Sequence, residues 1–133
     1  MKGKRSVRVQ ILIVAIMLFV MSQVAFSADN ISYDTYLINS LNDDNVGRRA
    51  SAAKLLGERN VNSAVQPLMK MLKSDKDFRV RIVAAVSLYK LCDTSVIRSL
   101  KAIRKKEKNK TVQHVLNGII LELQNQVDKS LIM

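Results

Sequence analysis

The chain writes one helical pattern more than once. VGRRASAAKLLGERN at residues 46–60 is answered 32 residues later by FRVRIVAAVSLYKLC at 78–92. The offset of 32 pairs Arg49 with Arg81, Ala52 with Ala84, Ala53 with Ala85 and Leu56 with Leu88. It also carries 68–91 onto 100–123, pairing Leu68 with Leu100, Met71 with Ile103, Val80 with Val112, Val83 with Val115 and Leu88 with Ile120. A fixed period of about 20–50 residues is the signature of a stacked-repeat architecture. A single unit of that size cannot bury its own apolar faces, so copies must cover one another.

Between Tyr33 and Gln126 six helix-length apolar patterns alternate with short polar breaks at 42–45, 60–63, 74–77, 93–95 and 105–110, and nothing reads as a strand. In the second copy Val80, Val83, Ala84, Leu88 and Leu91 recur at three- and four-residue spacing and form one stripe. Ile82, Ala85 and Tyr89 form a second stripe on its flank, so this helix must be covered on more than one side. Asn, Asp, Ser and Thr in the breaks suit helix N-caps. Breaks this short make successive helices antiparallel. The pattern predicts an all-α chain, a short α-solenoid of about three antiparallel helix hairpins spanning 29–130, with units near 32–60, 61–93 and 94–127.

Two of these units share a further detail. Asp43 is followed six residues later by Arg49, and Asp75 by Arg81, while Pro67 stands eight residues before Asp75. The proline, the turn aspartate and the second-helix arginine, followed by a small-residue pair and a leucine, resemble the HEAT repeat over about 32–123. The likeness is nearest to the short form found in bacterial HEAT-like proteins and in the phycobilisome lyases. It implies that turn aspartates and arginines tie adjacent repeats together, a role that falls here to Asp43, Arg49, Asp75 and Arg81. The third unit departs from the pattern: Glu107 and Gln113 hold the acid and arginine places, and Asn117-Gly118 replaces the small apolar pair. A terminal repeat, stacked on one side only, is expected to depart in this way.

The N-terminus has a different character. Lys2, Lys4, Arg5 and Arg8 stand without an acid, an unbroken apolar run covers 11–21, and Ala25-Phe26-Ser27-Ala28 follows. A basic region, an apolar run of about 7 to 15 residues and a small-residue cleavage site mark a secretory signal peptide. Residues 1–28 are therefore expected to direct export to a periplasm or the exterior, with cleavage after Ser27 or Ala28. An uncleaved anchor needs about 20 apolar residues, a length reached here only by including Ser22, Gln23 and Ser27. Beyond this segment 18 of the 22 Lys and Arg face 11 acids, a balance of +7. Such a surplus favours anionic partners. Cys92 is the single cysteine, so no internal disulfide can form and packing alone must hold the domain.

Candidate chemistry is sparse. Cys92 follows Leu88 and Leu91 on the apolar side and reads as a small core residue. His114 has no second histidine or cysteine pair beside it, a poor start for a metal site. Asp43-Asp44 and Asp75-x-Asp77 read as turn and cap acids, since calcium-loop spacing is missing. There is no phosphate loop, nucleophile elbow or HExxH. The expectation is a protein-binding scaffold module without catalytic residues, metal or cofactor.

Two surfaces compete as its contact face. One is the second-helix side, which the resemblance makes concave, with Arg48, Lys54, Arg79 and Lys90. The other is the basic run Lys101, Arg104, Lys105, Lys106, Lys108 and Lys110. That run suits an acidic protein, anionic lipid or an envelope polymer; the export signal and the lack of interleaved aromatics argue against nucleic acid. Open repeat ends also offer a surface for pairing with a second copy. A lyase-type enzyme subunit is the reading from another class, which the resemblance raises and the export segment opposes, because lyase clients lie inside the cell.

Overall fold

A computed structural model describes residues 3–91 and 94–132, with side chains for 9–21, 33–91 and 94–132. Cys92, and with it the expectation of a core cysteine, lies outside the described residues, as do the side chains of Ser27 and Ala28. Among the described residues there are six α-helices: α1 (Gly3–Ser40), α2 (Val46–Glu58), α3 (Val65–Ser74), α4 (Phe78–Lys90), α5 (Ile97–Lys106) and α6 (Lys110–Ile132). Two single 3₁₀ turns, Asn62–Ala64 and Thr94–Val96, precede α3 and α5, and no described residue is in a strand. The fold is all-α, as the periodicity predicts. α6 outlasts the last apolar pattern of the sequence and ends on exposed Leu131 and Ile132.

The chain divides into two compact units, residues 1–35 and 36–133. The first unit is helical from Gly3 onward, and its large apolar side chains from Val9 to Met21 are exposed. Among the described residues no helix is long and apolar enough to cross a membrane.

The second unit holds the core. α4 is its centre, packed on α2, α3 and α6, while α5 packs on α6. Equivalent leucines are buried in successive copies: Leu56 and Leu88, Leu68 and Leu100, Leu91 and Leu123. Pro67 falls in the first turn of α3, where its missing N–H breaks no helical hydrogen bond. α2 ends on Asn60 in the left-handed region, φ 53°. There the Val61 N–H donates to the Leu56 carbonyl and the Asn60 N–H to that of Gly57, the Schellman closure.

The face that each second helix turns toward the next unit shows where the stack stops. Ala53 and Ala85 are buried on it, whereas their third-unit equivalent Asn117 is exposed. Gly57 is buried and Tyr89 half-buried, whereas Leu121 is exposed. At the offset of 32 the small pair falls on Leu116-Asn117, which corrects its placement at Asn117-Gly118: Leu116 stays buried, and exposed Asn117 marks the end of the stack.

At Gly57 helices α2 and α4 come close. A Cβ there would stand 2.8 Å from Ser87 Cα and 2.9 Å from Ser87 Cβ. Glycine within a helix is normally about 1 kcal/mol worse than alanine, but here α2 could carry a methyl only by moving off α4. Gly57→Ala is expected to destabilise by about 1–3 kcal/mol through overpacking, read as a lower urea midpoint. Ser87→Gly should recover only part, because the backbone of α4 stays as close as before. A stabilising Gly57→Ala would show that the two helices do not touch there.

Candidate functional site

The inter-helix turns of the three hairpins share one construction. Asp43, Asp75 and Glu107 each accept, through a carboxylate oxygen, the backbone N–H two residues on, at 2.8 Å from Asn45, 2.9 Å from Asp77 and 2.8 Å from Asn109. Those second residues begin the following helices. Asn45 accepts from the Arg48 N–H at 3.1 Å, Asp77 from the Arg79 N–H at 2.9 Å, and Asn109 from the Thr111 N–H at 2.9 Å. The caps are therefore Asn45, Asp77 and Asn109. Asp43 and Asp75 shape the turn.

The side chain six residues after each turn acid closes back on it. Arg49 donates from Nη1 to the carbonyls of Asp43 and Asp44, at 2.9 and 3.0 Å. Arg81 reaches the Asp75 carbonyl at 2.8 Å, and Gln113 the Glu107 carbonyl. The rest of each guanidinium crosses to the next turn. Arg49 forks onto Asp75 at 2.7 and 3.1 Å, and Arg81 onto Glu107 at 2.9 and 2.8 Å. Both pairs are nearly shielded, with side chains 8% and 7% exposed in the first and 15% and 7% in the second. Bidentate arginine–carboxylate contacts are the stronger, more directional kind of ion pair. Glu107, which the sequence marks only as a departure, is thus a full partner in the second rung. Gln113 supplies the backbone half of the arginine's bonding, and no further turn follows it among the described residues.

These contacts set the titration of the turns. Its hydrogen bonds to the Asp75 carboxylate hold the Arg49 guanidinium above its ordinary value. Arg81, with help from the Asn109 N–H, holds the Glu107 carboxyl below the usual range, and Arg79 brings Asp77 down to about 2. Asp43 is lowered chiefly by the Asn45 N–H. A carboxyl depressed in the folded state stabilises fully above its unfolded value of about 4 and loses that contribution as pH falls through the folded value. Thermal midpoints should therefore hold from pH 7 to about 5 and fall from about pH 4.5 toward 2. Glu107→Gln should flatten the upper part of that fall; an identical profile would mean that Arg81 does not perturb Glu107.

The two candidate contact surfaces differ in how their cations are partnered. On the second-helix side Arg48 pairs with Asp43 at 3.3 Å, Arg79 with Asp77 at 2.7 Å, and Lys54 and Lys90 both reach Glu58, at 3.7 and 3.4 Å. The basic run is divided by the helix. Lys101, Lys105 and Lys110 are exposed, and Arg104 donates to Asn117 Oδ1 of α6 at 2.6 Å. Lys106 and Lys108, also exposed, line a groove of about 700 Å³ between α3 and α5 together with Lys70 and Lys73. Met69 and Ile103, both half-buried, give it an apolar floor. A second groove of about 600 Å³ lies between the end of α1 and α3, next to the Arg49–Asp75 rung. His114 is exposed on α6, and among the described residues no group of histidines, cysteines or acids is placed to hold a metal.

Antiparallel helix pairs of one design, stacked in register and linked turn to turn by arginine rungs, define an α-solenoid repeat domain. The particular repeat is HEAT: residues 35–118 match the family described as HEAT repeats, and the chain belongs to it. No curated protein matches the chain.

Proposed function

We propose that this chain is an exported, non-enzymatic scaffold that binds another protein through its repeat domain. The observation that carries this reading is how its polar groups are used. The shielded charges Arg49, Asp75, Arg81 and Glu107 are bound to one another and to turn backbone, so their hydrogen-bonding capacity serves to join repeats. What the domain offers outward is a repeated helical surface, and stacked repeats generally use such surfaces to engage other proteins. Export is supported by the basic residues of the N-terminus and the exposed apolar girth of α1 from Val9 to Met21. A helix apolar all round suits a segment that enters a translocation path or a bilayer.

The test is crosslinking in producing cells, with the captured partner identified and the N-terminus of the captured chain determined. A protein adduct on a chain beginning at Ala28 or Asp29 is the expected result. Capture of lipid or envelope polymer alone would favour electrostatic attachment, the second reading, which the exposed lysines of α5 support. Pairing through the open end is the weaker alternative: Asn117, Leu121 and Asn125, four apart on α6, offer one apolar side chain between two amides.

A further inference from the structure

We infer that the groove between α3 and α5 docks an acidic, amphipathic segment of the partner protein. Lys70, Lys73, Lys106 and Lys108 receive its carboxylates, and Met69 and Ile103 its apolar side chains. The inference rests on the protein-binding reading and narrows it to one face and one partner chemistry.

Charge is the first argument. Asp75 and Glu107 also line the groove, but each is committed to an arginine, Asp75 to Arg49 and Glu107 to Arg81. None of the four lysines has an ion-pair partner among the described residues, whereas Arg48, Lys54, Arg79 and Lys90 all have one. The positive field is therefore concentrated on the first-helix side. The four lysines line one recess, so an anionic occupant of it meets all of them.

Shape is the second. α3 and α5 have ten residues each, so at about 1.5 Å per residue the walls are about 15 Å long. That length matches about three turns of a docked helix, and about 700 Å³ is within the usual range of binding clefts. A flat bilayer or a uniform polyanion would meet protruding lysines such as Lys101 and Lys105 and make no use of the half-buried floor. A segment bearing carboxylates on one face and apolar side chains on the next uses both, in the manner of helix-in-groove recognition.

The experiment uses the full chain and a fluorescent synthetic helix of Leu and Glu, with both residues at three- and four-residue spacing. The same peptide scrambled to disperse its apolar face, and phosphatidylglycerol vesicles, serve as competing probes. Lys70→Glu with Lys106→Glu should weaken binding of the patterned helix by about tenfold or more, since reversing partner-facing charges penalises the complex directly. Lys101→Glu with Lys129→Glu, the same change in net charge outside the groove, should cost less than about twofold. Circular dichroism verifies that both variants fold. Equal losses in the two variants, equal binding of the scrambled peptide, or groove-dependent binding of vesicles but not peptide would overturn the inference. Protein crosslinks confined to the α2–α4 side would overturn it while leaving the protein-binding reading intact; capture of lipid or polymer alone would overturn both.

Discussion

Arg49→Ala is expected to lower the unfolding free energy of the repeat domain by about 3–5 kcal/mol, the usual cost of removing one partner from a buried ion pair. The side chain forks onto Asp75 and holds two turn carbonyls at once. Alanine would leave the Asp75 carboxylate, 7% exposed, with the Asp77 N–H as its remaining donor. It would also strip the carbonyls of Asp43 and Asp44 of the same donor. Arg49→Lys should fall between, since an ammonium keeps the charge but cannot form the planar fork. Lys54→Ala is the comparison. Its pair with Glu58 is long and exposed, so a loss under about 1 kcal/mol is expected. Urea denaturation of the three variants checks the order, and Arg49→Ala within about 1 kcal/mol of the parent would show that the rung is not shielded in solution. Arg81→Ala should have a distinct signature. It severs the second rung, and repeat stacks lose cooperativity when an interface weakens, so the third hairpin should melt before the rest.

The second large effect lies in the core. Leu88 is fully buried on α4, the helix that packs on α2, α3 and α6. Leu88→Ala should cost about 2–5 kcal/mol, the transfer term plus a cavity the surrounding helices cannot close. Leu121, a leucine on the outer face of α6, is 63% exposed. Its change to alanine should shift stability by no more than about 0.5 kcal/mol. Comparable losses at the two positions, by thermal or chemical denaturation, would mean that the outer face of α6 is covered in solution. A domain of this size has a total stability of about 5–15 kcal/mol, so Arg49→Ala and Leu88→Ala each remove a large part of it.

The repeat, its period and its helical class are legible in the residues, because alanine and leucine at helical spacing return at an offset of 32. The turn chemistry is legible only in part. A spacing of six links Asp43 to Arg49, yet that contact goes to the Asp43 carbonyl while the guanidinium fork closes on Asp75, 26 residues away. Linear spacing reports which residues share a turn; it does not say which neighbouring turn the long side chain reaches. Glu107 shows the same limit. Judged against aspartate it is a departure, but Asp43-x-Asn45, Asp75-x-Asp77 and Glu107-x-Asn109 are one pattern of acid and cap. That pattern is the signal through which the second rung could have been found. The groove was hidden for a different reason. Lys105 and Lys106 are adjacent in sequence and both exposed, but successive helical residues point about 100° apart, so Lys105 does not line the groove while Lys106 lines it with Lys70 and Lys73. Those two lie one repeat earlier, on α3, and belong to no basic run.

That the first-helix side of this HEAT stack receives an acidic protein segment is tested most directly by site-resolved photocrosslinking in producing cells. A photoreactive residue at Lys73 samples the groove, and one at Lys54 samples the second-helix side. Adducts from position 73 alone, mapping to a partner peptide rich in Asp and Glu beside apolar residues, are the predicted result. Protein adducts from position 54 alone, or lipid adducts from position 73, would contradict it.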